Sequence, residues 1–140
     1  GVVQFVKSHQ DTGETAASLA PGTLEIVQTG LGWVPEADDP DFASHKRAAR
    51  NGLDRAAEYI AAGLYDLIVL DEVCYAVYRG LLTAEAVGEL LDMAPPETVV
   101  VLTGRDAPEE LIERADTVTE MRCVKHGLET GRKAQKGVEL

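Results

Sequence analysis

Two acids stand at the end of an aliphatic run. Leu67-Ile68-Val69-Leu70 is followed at once by Asp71 and Glu72. In an open parallel sheet, the carboxyl ends of the strands face the crevice where ligands bind. Carboxylates placed there hold Mg²⁺ or Mn²⁺, directly or through water, because such cations take oxygen ligands. A second reading is electrostatic: acids favour the start of a following helix. On this run alone both readings stay open. Val99-Val100-Val101-Leu102 has the same form and ends in Thr103-Gly104-Arg105. Its tip is expected on the same sheet edge as Asp71. The planar fork of Arg105 suits phosphate oxygens, although a surface Arg in a strand-to-helix turn would look the same. Lys7, just after Val2–Val6, is a further candidate with the same two readings.

Trp33 is the only Trp, and it sits in a loop with Gly30 and Gly32. An indole in such a place is either a hydrophobic plug or the wall of a ligand pocket. His9, His45 and His126 show no close pairing, and two cysteines do not complete a zinc set. Cys74 reads as a small core hydrophobe. No Gly-x-Ser-x-Gly elbow or other nucleophile signature is present.

These residues need elements to hold them. A chain of 140 residues makes one domain with one sizeable core. Hydrophobic residues make up 45%, too many for a disordered acidic tail. Lys plus Arg is 13 and Asp plus Glu is 24, a net charge of −11 that argues against nucleic acid as the main partner. No apolar run approaches the ~20 residues of a membrane helix, and no signal segment opens the chain. With only Cys74 and Cys123 there is no disulfide framework. The expectation is a cytoplasmic protein away from membranes.

Short apolar runs predict buried strands at Val2–Val6, Leu24–Val27, Leu67–Leu70, Val99–Leu102 and Thr117–Met121. Helices are predicted between them. One runs from about Phe42 to Leu64, where Ala49, Leu53, Ala56, Ala57, Ile60 and Leu64 follow a three-four spacing. The others are Thr83 to Met93, with Thr83 as N-cap, and Pro108 to Ala115. Alternating strands and helices predict an α/β fold, a mostly parallel sheet with helices on both faces. Gly30 to Asp41 reads as a loop, and residues 124–140 show no helical period. Val2 already reads as strand, so residues upstream of Gly1 are expected.

Taken in order, these stretches resemble the ATP:cob(I)alamin adenosyltransferases of the corrinoid-salvage type. The likeness begins with Val2-Val3-Gln4-Phe5-Val6-Lys7 and Thr12-Gly13-Glu14. It continues through Tyr65 to Glu72, which has the shape of a Walker B segment, then Tyr75-Ala76 and Gly80-Leu81-Leu82. Its most specific part runs from Thr103 to Glu113, followed by Ala115-Asp116, Val118 to Met121 and Val124-Lys125-His126. Gly131 to Glu139 resembles the family's closing segment.

The resemblance implies a RecA-like P-loop NTPase core. It implies transfer of the 5′-deoxyadenosyl group of ATP to the Co(I) of a reduced corrinoid, cobalamin or another, with release of triphosphate. By the same likeness Asp71 and Glu72 serve the metal, with Glu72 the better candidate for direct contact. Glu72 and Arg105 become the catalytic pair, Arg105 facing phosphate. Lys7, Thr103, Gly104, Leu31, Trp33 and Gln135 become ligand-binding residues. Gly30-Leu31-Gly32-Trp33 is similar to the family's Gly-Phe-x-Trp loop, whose aromatics press on the lower face of the corrin. A homodimer and a flavoprotein reductant are family expectations.

Three departures stand out. The Gly-rich phosphate loop, which the family carries just before the first strand seen here, is not among these residues. Without it the chain by itself is expected to be inactive. Leu31 replaces the family's Phe, and Gly127-Leu128 replaces its Pro-Phe. The alternative is a corrinoid-binding or storage protein without catalysis.

Overall fold

The computed structural model describes residues 1–8, 24–127, 131 and 133. Thr12-Gly13-Glu14, Gln135 and most of the closing segment lie outside the described residues. Four strands form one parallel sheet: β1 (Val2–Gln4), β2 (Ile26–Gln28), β3 (Leu67–Asp71) and β4 (Val99–Leu102). Their spatial order is β2-β1-β3-β4. The helices are α1 (Phe42–Ala62), α2 (Val73–Tyr78), α3 (Ala84–Asp92) and α4 (Glu109–Arg114). The expected α/β fold is present, and Val99–Leu102 matches its predicted bounds. None of the described helices is long and apolar enough to cross a membrane.

The core lies between the sheet and α1. Val3, Ile68 and Leu70 are fully buried on one face, and α1 answers with Ala49, Leu53, Ala56 and Ile60. These four belong to the three-four stripe read from the sequence, and Ala57 packs partly against it. Burying one such aliphatic side chain stabilises by about 1.5–3 kcal/mol. Leu64, expected to end the stripe, lies beyond α1 and is 80% exposed, because Gly63 turns the chain through the left-handed region first. Gly63 closes α1 by donating its N–H to Ile60 O. Thr83 caps α3, its Oγ1 accepting the Ala86 N–H at 3.1 Å. Arg114, in the last turn of α4, donates to Gly88 O and contacts Asp92, which ties α4 to α3.

Three further expectations change. Thr117–Met121 forms no strand, and Met121 is 93% exposed. Its β-branched residues favour extension, but a strand exists only where a neighbouring edge supplies hydrogen bonds. No described strand pairs with it. Second, β4 reads as buried on both sides, yet Val99 is 57% exposed and only Val100 and Leu102 pack on the core. Third, α2 went unforeseen as an element. It is six residues long, too short for a period to show, and it buries Val73, Cys74 and Ala76.

Candidate functional site

The carboxyl ends of the strands come together in one register row. Gln28 pairs with Gln4, Gln4 pairs with Asp71, and Thr103 follows Leu102, the partner of Leu70. Side chains join this row into a hydrogen-bonded chain. Gln28 Nε2 donates to Gln4 Oε1 at 2.8 Å, and Gln4 Nε2 donates to Asp71 Oδ2 at 3.2 Å. From the other side Thr103 Oγ1 donates to Asp71 Oδ1 at 2.9 Å. Gln4 is only 3% exposed, the one buried polar side chain among the described residues. Both ends of its amide are used, so its desolvation is offset.

Lys7 reaches the same carboxylate. Its Nζ lies 3.2 Å from Asp71 Oδ2. Both side chains are partly exposed, so the pair adds little stability but fixes a positive charge at this edge. Asp71 thus has a partner on each oxygen. Glu72 differs: among the described residues its carboxylate makes no hydrogen bond or ion pair.

Backbone geometry separates the two acids. Glu72 adopts φ 64° and ψ 19°, the left-handed region that a non-glycine residue seldom takes. The chain leaves β3 and enters α2 in this single residue. Two hydrogen bonds hold it there. The Glu72 N–H donates to Thr103 Oγ1 at 3.0 Å, and the Glu72 carbonyl accepts the Ala76 N–H at 3.0 Å. Strained residues held in this way concentrate at functional sites.

Gly104 lies directly against the start of α2. Its φ is 137°, and a Cβ there would come within 2.8 Å of Tyr75 N and 3.0 Å of Cys74 Cβ. Any side chain would push β4 and α2 apart. Cys74 itself is buried, and burial pushes its thiol up, in keeping with an inert core residue. Arg105 follows on the surface. Its guanidinium has no partner among the described residues, so its donors are open to an anion.

The Trp33 loop starts from the same edge. Thr29 and Gly30 donate their N–H groups to Gln4 O at 3.0 and 3.2 Å, and Gly32 donates to Val6 O at 2.8 Å. A Cβ on Gly30 would lie 2.2 Å from the Val6 carbonyl carbon, so only glycine permits this approach. Val34 then enters the core. Between these anchors Trp33 is 87% exposed and Leu31 is 52% exposed. The plug of this loop is Val34, and the indole faces outward. No helix or strand forms between Gly30 and Asp41, as expected.

Of the residues singled out in the sequence, Lys7, Asp71 and Thr103 are in direct contact. Glu72 and Gly104 adjoin them, and Arg105 follows on the same edge. Leu31 and Trp33 sit on a loop hung from Gln4 and Val6. Gln135 is outside the described residues. Gln4 and Gln28 were missed. Gln4 was detectable, since a polar residue inside Val2–Val6 breaks an otherwise apolar run. No spacing signal pointed to Gln28.

Among the described residues no three His, Cys, Asp or Glu side chains gather as a metal cage. Mg²⁺ does not require one, because it is often held by one or two carboxylates together with substrate phosphates. The open carboxylate of Glu72, beside the fully engaged Asp71, fits such a role.

The family model for ATP:corrinoid adenosyltransferases matches residues 1–140. The corrinoid adenosyltransferase of Escherichia coli is 34% identical over 140 residues, covering 99% of this chain and 69% of that protein. The corrinoid adenosyltransferase CobA of Salmonella typhimurium gives the same identity and coverage. That of Pseudomonas aeruginosa is 38% identical over 143 residues, covering 100% of this chain and 68% of that protein. An acid-tipped parallel sheet, an outward indole and a match along the whole chain agree: this chain belongs to the ATP:corrinoid adenosyltransferase family.

Proposed function

We propose that the protein transfers the 5′-deoxyadenosyl group of ATP to the cobalt of a reduced corrinoid. The single observation that carries this reading is the family match over residues 1–140, reinforced by the acids at the sheet edge and the exposed indole on a loop bonded to Gln4 and Val6. The Co(I) electron pair attacks C5′ of ATP. The bond from C5′ to oxygen breaks, a cobalt–carbon bond forms, cobalt becomes Co(III), and triphosphate leaves. Cobalt is the nucleophile, which is consistent with a chain that shows no nucleophile signature. The curated relatives are named as transferases, so a storage role is not favoured.

The chain's own residues then have separable tasks. Glu72 offers a carboxylate to the divalent cation that travels with ATP; bound there, the cation would neutralise phosphate charge. Asp71 keeps the acid edge in register, since its own oxygens are engaged by Thr103, Gln4 and Lys7. Arg105 and Lys7 supply positive charge toward the triphosphate. Trp33 and Leu31 form an apolar face toward the corrin. A wall there excludes water and the lower ligand, which makes Co(II) easier to reduce. A homodimer, a flavoprotein reductant and a cytoplasmic setting complete the proposal. The test is single-turnover conversion of cob(I)alamin and ATP–Mg²⁺ by the chain extended at Gly1 with the family's phosphate loop, followed by the cobalt absorption spectrum. Formation of adenosylcobalamin with triphosphate in equal amount supports the reading. Corrinoid binding without transfer would favour storage.

A further inference from the structure

We propose that Arg79 is a positioning residue that ties the Trp33 loop to α2 and so sets where the indole meets its ligand. The proposal rests on the reading of Trp33 as corrin-facing. Arg79 is the C-cap of α2, and Glu72 is its N-cap. The metal-side acid and this guanidinium are thus the two ends of one short helix. Arg79 Nη2 donates to Pro35 O at 2.8 Å, and Nη1 donates to Tyr75 Oη at 3.0 Å. The guanidinium carbon sits 5.9 Å from the Tyr75 ring centroid. Arg79 is mostly buried, its side chain 15% exposed.

Pro35 is two residues beyond Trp33. The loop is therefore held on one side by Gly32 N–H on Val6 O and on the other by Val34 and the Arg79 bond. The exposed indole stands between these supports. A fork is needed to reach Pro35 and Tyr75 together, and a lysine ammonium has no such geometry. Glu36 lies 3.4 Å from Arg79 Nη2, but its side chain is 86% exposed and adds little.

Trp33 is the sole Trp, so its emission reports the loop without labelling. Arg79→Gln, Arg79→Lys and Glu36→Gln are compared with the parent by Trp33 fluorescence anisotropy in this chain, and by KM for each substrate in the chain extended at Gly1 with the family's phosphate loop. Arg79→Gln is expected to lower the anisotropy and raise the corrinoid KM about tenfold, the scale of one lost charged hydrogen bond. The ATP KM is expected to stay within about twofold. Arg79→Lys falls between, and carries the test alone if Arg79→Gln does not fold. Glu36→Gln matches the parent. Unchanged anisotropy, an unchanged corrinoid KM, or an equal rise for both substrates overturns the proposal. Trp33→Ala keeps the two readings apart. An unchanged corrinoid KM in that variant defeats the corrin-facing reading, whereas the Arg79 anisotropy result still decides the tether.

Discussion

Thr103 binds both acids of the sheet edge with one hydroxyl. Its Oγ1 donates to Asp71 Oδ1 at 2.9 Å and accepts the Glu72 N–H at 3.0 Å. One β4 side chain thereby holds the carboxylate of β3 and the left-handed residue after it. Thr103→Val keeps the shape and removes both bonds. The Glu72 N–H loses its acceptor, and leaving such a group unpaired costs about 1–3 kcal/mol. The expected result is that loss in urea unfolding, with a higher Mg²⁺ requirement for transfer. Thr103→Ser should restore both. A Val variant equal to the parent in each measurement would remove this role.

Asp71 and Glu72 should respond in opposite ways to neutral amides. Asp71→Asn turns one acceptor oxygen into a donor facing Gln4, Lys7 or Thr103. A stability loss of about 1–3 kcal/mol follows. Glu72→Gln disturbs no hydrogen bond among the described residues, so its unfolding midpoint should stay near the parent's. In the chain extended with the family's phosphate loop its activity should fall about a hundredfold or more, since the hard anionic ligand proposed for the cation is lost. Full activity in Glu72→Gln would move the metal role to Asp71. A large loss of stability would instead favour the helix-start reading of the two acids.

Much of this edge was legible because strands announce their own ends. An aliphatic run followed by Asp71-Glu72, and another by Thr103-Gly104, fixed which residues would meet once the sheet was parallel. The register row was not legible, because hydrogen bonds between Gln28, Gln4 and Asp71 depend on pairings across distant segments. Sequence marked Gln4 only as an oddity within an apolar run. Arg79 carried no signal at all, since its partner is the carbonyl of Pro35, a backbone group of a remote loop. Thr117–Met121 misled for the opposite reason. Its residue types favour a strand, but pairing is a property of neighbours rather than of the segment.

Acid should weaken the opposite end of the sheet through Glu25. Tyr65 Oη donates to Glu25, and Arg55 Nη2 lies 2.9 Å from Glu25 Oε1. The Tyr65 hydrogen bond, first among the causes, holds the Glu25 carboxyl below its ordinary value of 4.5. A depressed folded value means that the native state stabilises the carboxylate. That contribution is complete above pH 4.5 and is lost as pH falls through the lower folded value. Exposure screens the pair, so the loss is small. Glu25→Gln should be less stable than the parent at pH 7, and the gap should close as pH falls through the lowered folded value of Glu25. A gap that persists in acid would mean that the loss comes from packing rather than charge.

Trp33 offers the sharpest separation of corrin chemistry from ATP binding. It is 87% exposed, and its neighbour Val34 supplies the core contact. Removing an exposed side chain changes stability by about 0.5 kcal/mol or less, so Trp33→Ala should unfold at the parent's midpoint. The ATP contacts proposed for Lys7, Glu72 and Arg105 do not involve the indole, so ATP affinity should also hold. What should fail is the apolar wall. With less surface to exclude water and the lower ligand, Co(II) stays five-coordinate and harder to reduce. Magnetic circular dichroism or electron paramagnetic resonance of the Co(II) corrinoid complex with ATP reads that state directly. The four-coordinate signal should fall in Trp33→Ala. In the parent, Leu31 leaves half of the wall aliphatic, and conversion should be partial. Leu31→Phe should then raise the four-coordinate fraction, because a larger apolar face excludes more water. If Trp33→Ala converts as much Co(II) as the parent, the indole does not touch the corrin, and the apolar face of this loop serves some other contact.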